Sequence, residues 1–411
     1  MNKPELLAPA GDFEKLQMAI EYGANAVYVG GKLFGLRANA KNFEINELQQ
    51  AIEYAHNHHV KVYVTVNIFA HNKDFNGLED YLITLKKIGA DAIIVSDLGV
   101  FEIASKLKTE QRLEGLEIHI STQANVTNKH SALVYKKLGA SRVILARELS
   151  FSEITEISNY TSDSTFSTEV FAHGAMCVAY SGRCLLSRYI TGRDANQGDC
   201  TQPCRWKYHI TEEKRPNDFH PIYEDERGTY IMNSKDLCMI EYIPELVASG
   251  VSSLKIEGRM KSAYYVAVTT RAYREAIDDY FASKSLYQSK KTYYLEELRK
   301  SSHREFFMGF YLGNTDFETS VTDIAYVNTY DFVGIVRDYD DEGAFALVEQ
   351  RNKFSVGDEI EFMRAGFKQV ITEIFDDKFN PLSSAPHAQQ MLYIKVQQPV
   401  AKMEILRKKM Q

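Results

Sequence analysis

Four phrases decide how this chain folds: YGANAVYVGG at 22–31, IGADAIIVSD at 88–97, LGASRVILAR at 138–147 and SGVSSLKIEG at 249–258. Each joins the end of an amphipathic helix to a glycine and then to a short, mainly aliphatic run. A glycine after the last helical turn supplies the left-handed cap that ends a helix. An apolar run following it suits a strand covered on both faces. Helices alternating with such strands predict βα units and a parallel sheet.

Working outward, the same pattern predicts eight strands: 5–10, 26–30, 61–67, 92–97, 117–123, 142–147, 169–173 and 253–257. Eight units over this length match an α/β fold of the (β/α)8 type, a TIM-like barrel. A doubly wound sheet is the alternative, but no Gly-rich dinucleotide fingerprint follows the first strand. Residues 229–237 read either as an extra strand or as a loop. A barrel over 1–290 then carries a long insertion at about 175–228, rich in Gly, Arg, Asp and Cys. Loops of that length inside a compact domain are usually functional. A polar helical linker is expected over 291–322. From 323 to 411 short alternating strands such as DFVGIVRDY and DEIEFMR predict a small β-barrel domain. Its role is either stabilising or substrate-docking.

The bulk composition narrows the class. Of 411 residues, 45% are hydrophobic and 25% charged, so the chain can bury a large core. A formal charge of -7 argues against non-specific coating of nucleic acid, though not against a local basic patch. The opening MNKPELLAPAGDFEKL lacks the apolar core of a signal peptide, and no stretch reaches the roughly 18–20 apolar residues of a membrane span. A cytoplasmic protein that makes no use of a membrane is expected.

In a reducing compartment clustered cysteines read as metal ligands or redox groups rather than disulfides. Four of the five cysteines fall in one segment: Cys177 and Cys184 in MCVAYSGRC, Cys200 and Cys204 in GDCTQPCRW. Four thiolates are enough to close either a zinc site or an iron–sulfur centre. Only the second pair has the short spacing typical of zinc ribbons, so iron–sulfur ranks ahead of zinc, and zinc ahead of unligated thiols. Cys238, alone in NSKDLCMIEY, reads as a buried free thiol.

In a barrel, polar residues at the C-terminal ends of strands face the active site. That rule selects Asn67, Asp97, Gln123, Arg147 and His173, then Lys255, Glu257 and Arg259 of LKIEGRMKS. His173, Lys255, Glu257 and Arg259 are the candidate catalytic residues. A Glu flanked by Lys and Arg suits an anionic substrate, and a salt-bridged rim is the structural alternative. His173 alone would more often be a satisfied core histidine. Asn67, Gln123, Arg147, Tyr180 and Arg183 are the candidate substrate-binding residues. Arg183, Arg188, Arg193 and Arg205 interleave with Tyr180, Tyr189 and Trp206, a mixture that grips phosphates and stacks on unpaired bases, or shields an anionic cluster. No HExxH helix and no GxSxG elbow is present.

The run EVFAHGAMCVAYSGRCLLS at 169–187 closely resembles the signature of the collagenase-like peptidase family of formerly unknown catalytic type. ELLAPAGD, NAVYVGG, HISTQANVTN, NSKDL and LKIEGRMKS are similar to that family at matching places, so the resemblance spans nearly the whole chain. The order of GDCTQPCRW after MCVAYSGRC is most similar to the tRNA hydroxylation branch. The resemblance implies an oxygen-independent hydroxylation at C5 of the wobble uridine, in the tRNA anticodon loop. It also implies a [4Fe–4S] cluster on Cys177, Cys184, Cys200 and Cys204, the dicarboxylate prephenate as co-substrate, and room for a related protein partner. Two alternatives stay open: the hydrolase activity of a collagenase-like peptidase, and hydroxylation of a ribosomal RNA cytidine.

Overall fold

The computed structural model describes residues 2–35, 42–176, 184–203, 206, 211–212, 215–219, 224–225, 228–229, 235–313 and 327–410. Strands β1 (Glu5–Pro9), β2 (Ala26–Gly30), β3 (Lys61–Val66), β4 (Ala92–Val95), β5 (Glu117–Ile120), β6 (Arg142–Ile144) and β7 (Ser167–Ala175) pair in parallel, each with the next. A short strand, β8 (Asp236–Cys238), runs antiparallel to the end of β7. Strand β9 (Ser253–Ile256) then pairs in parallel with both β7 and β1, which closes an eight-stranded barrel. All eight barrel strands lie where the sequence places them, most of them ending one to three residues earlier. The segment at 229–237 resolves in part into β8, at its C-terminal end.

Helices α1 (Phe13–Glu21), α2 (Ile45–Asn57), α3 (Leu78–Lys87), α4 (Leu98–Thr109), α5 (Lys129–Lys137) and α6 (Phe151–Thr161) alternate with these strands. The repeating glycine does the work expected of it: Gly23, Gly89, Gly139 and Gly250 all take positive φ, between 78° and 99°. A side chain would be strained there, so each helix stops at the same distance from the strand that follows. Helix starts are capped in turn by side chains. Asp12 accepts from the Lys15 N–H, Asn128 from Ser131, and Ser150 closes a capping box with Glu153. Asp97, expected at the barrel mouth, instead accepts from the N–H groups of Gly99 and Val100 as the cap of α4.

Alternate strand residues divide into two sets. Leu6, Val27, Val29, Val62, Val64, Ile93, Ile118, Val143, Val170 and Leu254 are buried aliphatics. The opposite parity carries Glu5, Tyr28, Tyr63, His119, Arg142, Glu169 and Lys255, whose contacts join adjacent strands (Arg142–Glu169, Lys255–Glu169) and non-adjacent ones (Glu5–Tyr63, Glu5–Arg142). The barrel interior, usually filled by branched aliphatics, here mixes this polar set with Leu7, Ile94 and Ile144 at the same parity.

After α8 (Ile243–Ala248), α9 (Ala263–Ala282) and α10 (Lys284–Arg299), residues 306–307 return as a short strand parallel to β8. The stretch expected to be a helical linker over 291–322 is therefore helical only as far as Arg299 among the described residues. Residues 296–303 and 326–411 form a second compact unit. It holds one eight-stranded antiparallel sheet curved into a half-barrel around Val333, Val348, Phe354, Ile360, Phe362, Leu392, Ile394 and Leu406.

Candidate active site at the barrel mouth

The interior column starts at the N-terminal end of the barrel. Glu5 accepts from Tyr63 Oη at 2.7 Å and from Arg142 Nη1 at 2.6 Å, so three strands meet on one carboxylate. Arg142 Nη1 also reaches Glu169 Oε2 at 3.1 Å, and Lys255 Nζ lies 3.4 Å from Glu169 Oε1. Glu169 is fully buried. Burial alone would push its carboxyl up, but Lys255 and Arg142 outweigh it and hold the group below its ordinary value. Burial pushes the Lys255 ammonium down, against the opposing pull of Glu169 and Glu257.

One layer higher, Lys255 Nζ stands 4.4 Å from the Tyr28 ring centre and 5.6 Å from that of Phe171. Tyr28 Oη donates to Glu257 Oε2 at 2.9 Å. The Arg147 guanidinium also lies over the Phe171 ring, at 4.9 Å, and donates to the Ala175 carbonyl at 3.0 Å. Asn67 Nδ2 donates to Gln123 Oε1 at 2.6 Å, and Ser121 Oγ donates to the same oxygen at 2.8 Å. Arg259, almost fully buried, donates from Nη1 to Thr65 Oγ1 at 2.9 Å. Its guanidinium lies against Gly30, where a Cβ would come within 2.2 Å of Nη1.

Lys255, Glu257, Arg259, Arg147, Asn67 and Gln123 thus gather at the C-terminal ends of the strands. His173 does not join them. A bulge between Lys255 and Ile256 pairs His173 with Ile256, whose parity faces the helices. There His173 is packed among Tyr265, Tyr273 and Phe306, with Tyr273 Oη 3.5 Å from Nδ1. Its surroundings are those of a core histidine. Gly174, with φ of 111°, turns the chain beside the Glu257 carbonyl, which lies 2.5 Å from where a Cβ would stand.

The cysteine insertion is tied to this mouth. The Phe69 N–H, two residues beyond Asn67, donates to the Asn196 carbonyl at 3.1 Å, and Asn196 Nδ2 donates to the Cys184 carbonyl at 2.9 Å. Ser187 Oγ contacts both residues that flank Cys200: it donates to the Asp199 carbonyl and accepts from the Thr201 N–H. Cys184 and Cys200 are half-buried free thiols. The Gln202 N–H donates to Cys200 Sγ at 3.3 Å, on a backbone turned to φ of 56°. Cys177, Tyr180, Arg183 and Cys204 lie outside the described residues. Cys238 is buried in β8, opposite His173.

Glu5, Tyr28, Tyr63, His119, Arg142 and Glu169 escaped the strand-end rule because none stands at the C-terminal end of its strand. Their signal was parity: EIHI and RVI alternate charge with aliphatics, where a packed interior would need aliphatics at both parities.

The model of peptidase family U32 matches residues 11–320, and that of the U32 C-terminal domain matches 328–407. The chain is 41% identical to tRNA hydroxylation protein P1 of Bacillus subtilis (strain 168), covering 99% of this chain and 95% of that protein. It is 39% identical to tRNA hydroxylation protein P of Escherichia coli (strain K12), over 88% of this chain and 86% of the relative. A protein named collagenase from Porphyromonas gingivalis is 33% identical, over 76% and 74% of the two chains. With both family models in register along its length, the chain belongs to peptidase family U32.

Proposed function

We propose that the chain is an RNA-modifying enzyme that hydroxylates tRNA, at C5 of the wobble uridine. The observation that carries this reading is the 41% identity to tRNA hydroxylation protein P1, sustained over both units of the chain. An anticodon-loop base is already unpaired, so less energy is needed to draw it into the mouth of a barrel than from a duplex. Lys255, Arg259 and Arg147 supply cationic and hydrogen-bonding groups for an anionic co-substrate, and prephenate, a dicarboxylate, fits that chemistry. Asn67 and Gln123 present amide groups suited to the edge of a base.

We read the four cysteines as an iron–sulfur donor set, of which Cys184 and Cys200 are described. Cys184 and Cys200 are unbridged and half-buried, and Cys200 Sγ already accepts a backbone N–H, a contact that tunes cluster thiolates. Cys177, Cys184, Cys200 and Cys204 would hold a [4Fe–4S] group. When bound, such a group supplies one-electron redox chemistry beside the mouth. Zinc on the same four thiolates is the alternative occupant. The residues' own part is to bind and orient: Lys255 and Arg259 hold negative charge, and Tyr28 holds Glu257 in place.

The test is anaerobic purification with iron and sulfide analysis, followed by mass spectrometry of tRNA and ribosomal RNA nucleosides from a deletion strain. About four irons and four sulfides per chain, with loss of 5-hydroxyuridine from tRNA, support the reading. Wobble hydroxylation that persists in Cys177→Ala removes the cluster from the mechanism. Loss of hydroxycytidine from ribosomal RNA instead moves the target, and intact RNA with a zinc-loaded protein reopens the peptidase reading.

A further inference from the structure

The cysteine insertion carries a face that is exposed among the described residues. Helix α7 (Leu186–Thr191) is pinned from one side. Ser187 is fully buried with Oγ 2.9 Å from Thr201 Oγ1, and Thr191 Oγ1 lies 3.2 Å from the same hydroxyl. Residues three or four apart share a helix face. Ser187 and Thr191 therefore turn inward together, and Leu185, Arg188 and Tyr189 turn outward together. Tyr189 is 90% exposed and Leu185 67%, the two most exposed large apolar side chains among the described residues. The Arg188 side chain between them is 61% exposed and held by Asp194 at 3.2 Å.

Exposed apolar side chains rimmed by polar ones mark sites of interaction. Two observations name the partner. First, the residues from Arg183 to Trp206 include four arginines, two aspartates and no lysine or glutamate, a positive surplus in a chain of formal charge -7. Second, the Asn196 contacts to Phe69 and Cys184 hold this insertion beside the end of β3, next to Asn67. Aromatic faces set among arginines are what single-stranded nucleic acid requires, because every base can stack and every nucleotide carries a phosphate.

We infer that the face formed by Leu185, Arg188 and Tyr189 docks single-stranded RNA, with Tyr189 stacking on an unpaired base that neighbours the one entering the barrel and Arg188 contacting the adjoining phosphate. This rests on the RNA-modifying reading above and assigns it a surface. A base held there keeps the loop opened at the mouth while its neighbour is drawn inward.

The experiment measures binding of a fluorescently labelled tRNA anticodon stem–loop to the anaerobically purified full-length protein, by anisotropy at several salt concentrations. Tyr189→Ala removes almost no packing, so it folds. It weakens binding by about tenfold or more, as loss of one stacked base does, while Tyr189→Phe stays within about twofold because it keeps the ring. Arg188→Ala weakens binding and reduces the salt slope by about one. Tyr160→Ala, on the exposed surface of α6, leaves affinity unchanged. If the wild type binds and Tyr189→Ala binds equally well, the docking face is elsewhere and the RNA reading stands. If the wild type binds neither the stem–loop nor intact tRNA, both fall. If Tyr189→Ala instead lowers the sedimenting mass, the face joins copies of this chain and the inference is overturned.

Discussion

Lys255 Nζ lies 3.4 Å from Glu169 Oε1, and the other oxygen of that carboxylate takes Arg142 at 3.1 Å. One fully buried anion therefore serves two buried cations and links the floor of the barrel to its mouth. A buried ion network of this kind is rarely the most stable filling, since apolar residues of equal volume often do as well. Its position matters more: it holds the Lys255 ammonium directly beneath the Tyr28–Glu257 pair.

Glu169→Gln leaves both cations without their shared charge. The expected loss of stability is about 3–5 kcal/mol, the cost of breaking one partner from a buried pair. Urea denaturation with the wild type alongside measures it. A loss under about 1 kcal/mol would show that Lys255 and Arg142 find other partners without cost.

The barrel was legible because its signal is local and repeated. A Gly stop before an aliphatic strand recurs in four of the eight βα units, at Gly23, Gly89, Gly139 and Gly250, and each can be read without knowing its neighbours. The mouth was partly legible for the same reason: Lys255, Glu257 and Arg259 follow from where a strand ends. The interior column was not, because Glu5, Arg142 and Glu169 are 27 to 164 residues apart and only closure of the sheet brings them together. His173 went the other way. Its neighbours in the chain suggest the mouth, but a bulge in the β7–β9 pairing changes its parity, and no local pattern marks that bulge. Asp97 shows the competing use of a strand-end carboxylate, as a helix cap.

His119 gives the fold a pH limit. The ring is fully buried, and Nε2 lies 2.9 Å from Glu117, which that bond helps to hold down at about 2. Nδ1 has no hydrogen-bond partner among the described residues, so the imidazole is stable only as the neutral form that donates from Nε2. Burial accordingly lowers its pKa below the ordinary value of 6.5. The unfolded chain takes up a proton below about 6.5 and the folded one does not, so stability is full above that pH and falls as pH drops through it. The slope is about 1.4 kcal/mol per pH unit for one proton. Melting temperatures of the wild type and His119→Gln from pH 8 to 5 test this. The wild type should lose stability faster on the acid side, and parallel curves would show that His119 does not titrate.

Gly30 and Gly11 both face Arg259, with unequal consequences. At Gly30 a methyl would meet side-chain ends, Arg259 Nη1 at 2.2 Å and Asn42 Oδ1 at 2.9 Å, which can yield more than backbone does. At Gly11 it would meet the Arg259 backbone carbonyl at 2.2 Å, which cannot. Gly30→Ala should therefore lose less stability than Gly11→Ala, displace the guanidinium from Thr65 and lower RNA hydroxylation by about tenfold or more, as a misplaced binding group does. Gly11→Ala should lose stability outright. Equal melting temperatures for the two variants would contradict this division.

The cysteines separate by environment. Cys184 and Cys200 are half-buried on the insertion beside the mouth, whereas Cys238 lies inside β8 across from His173. On the proposed four-cysteine site, replacing Cys184 or Cys200 by alanine leaves three thiolates, too few to close it. Cys184→Ala and Cys200→Ala should each purify with most of their iron lost, and with tRNA hydroxylation lost alongside it. Cys238→Ala removes one sulfur from a packed strand, costs about 1 kcal/mol, and should keep iron and activity at wild-type levels. Iron per chain, measured on all three variants purified anaerobically, decides the matter. Full iron in Cys200→Ala would mean that the N–H donated by Gln202 serves a thiol that holds no metal, and iron loss in Cys238→Ala would place the ligand set on the wrong cysteines.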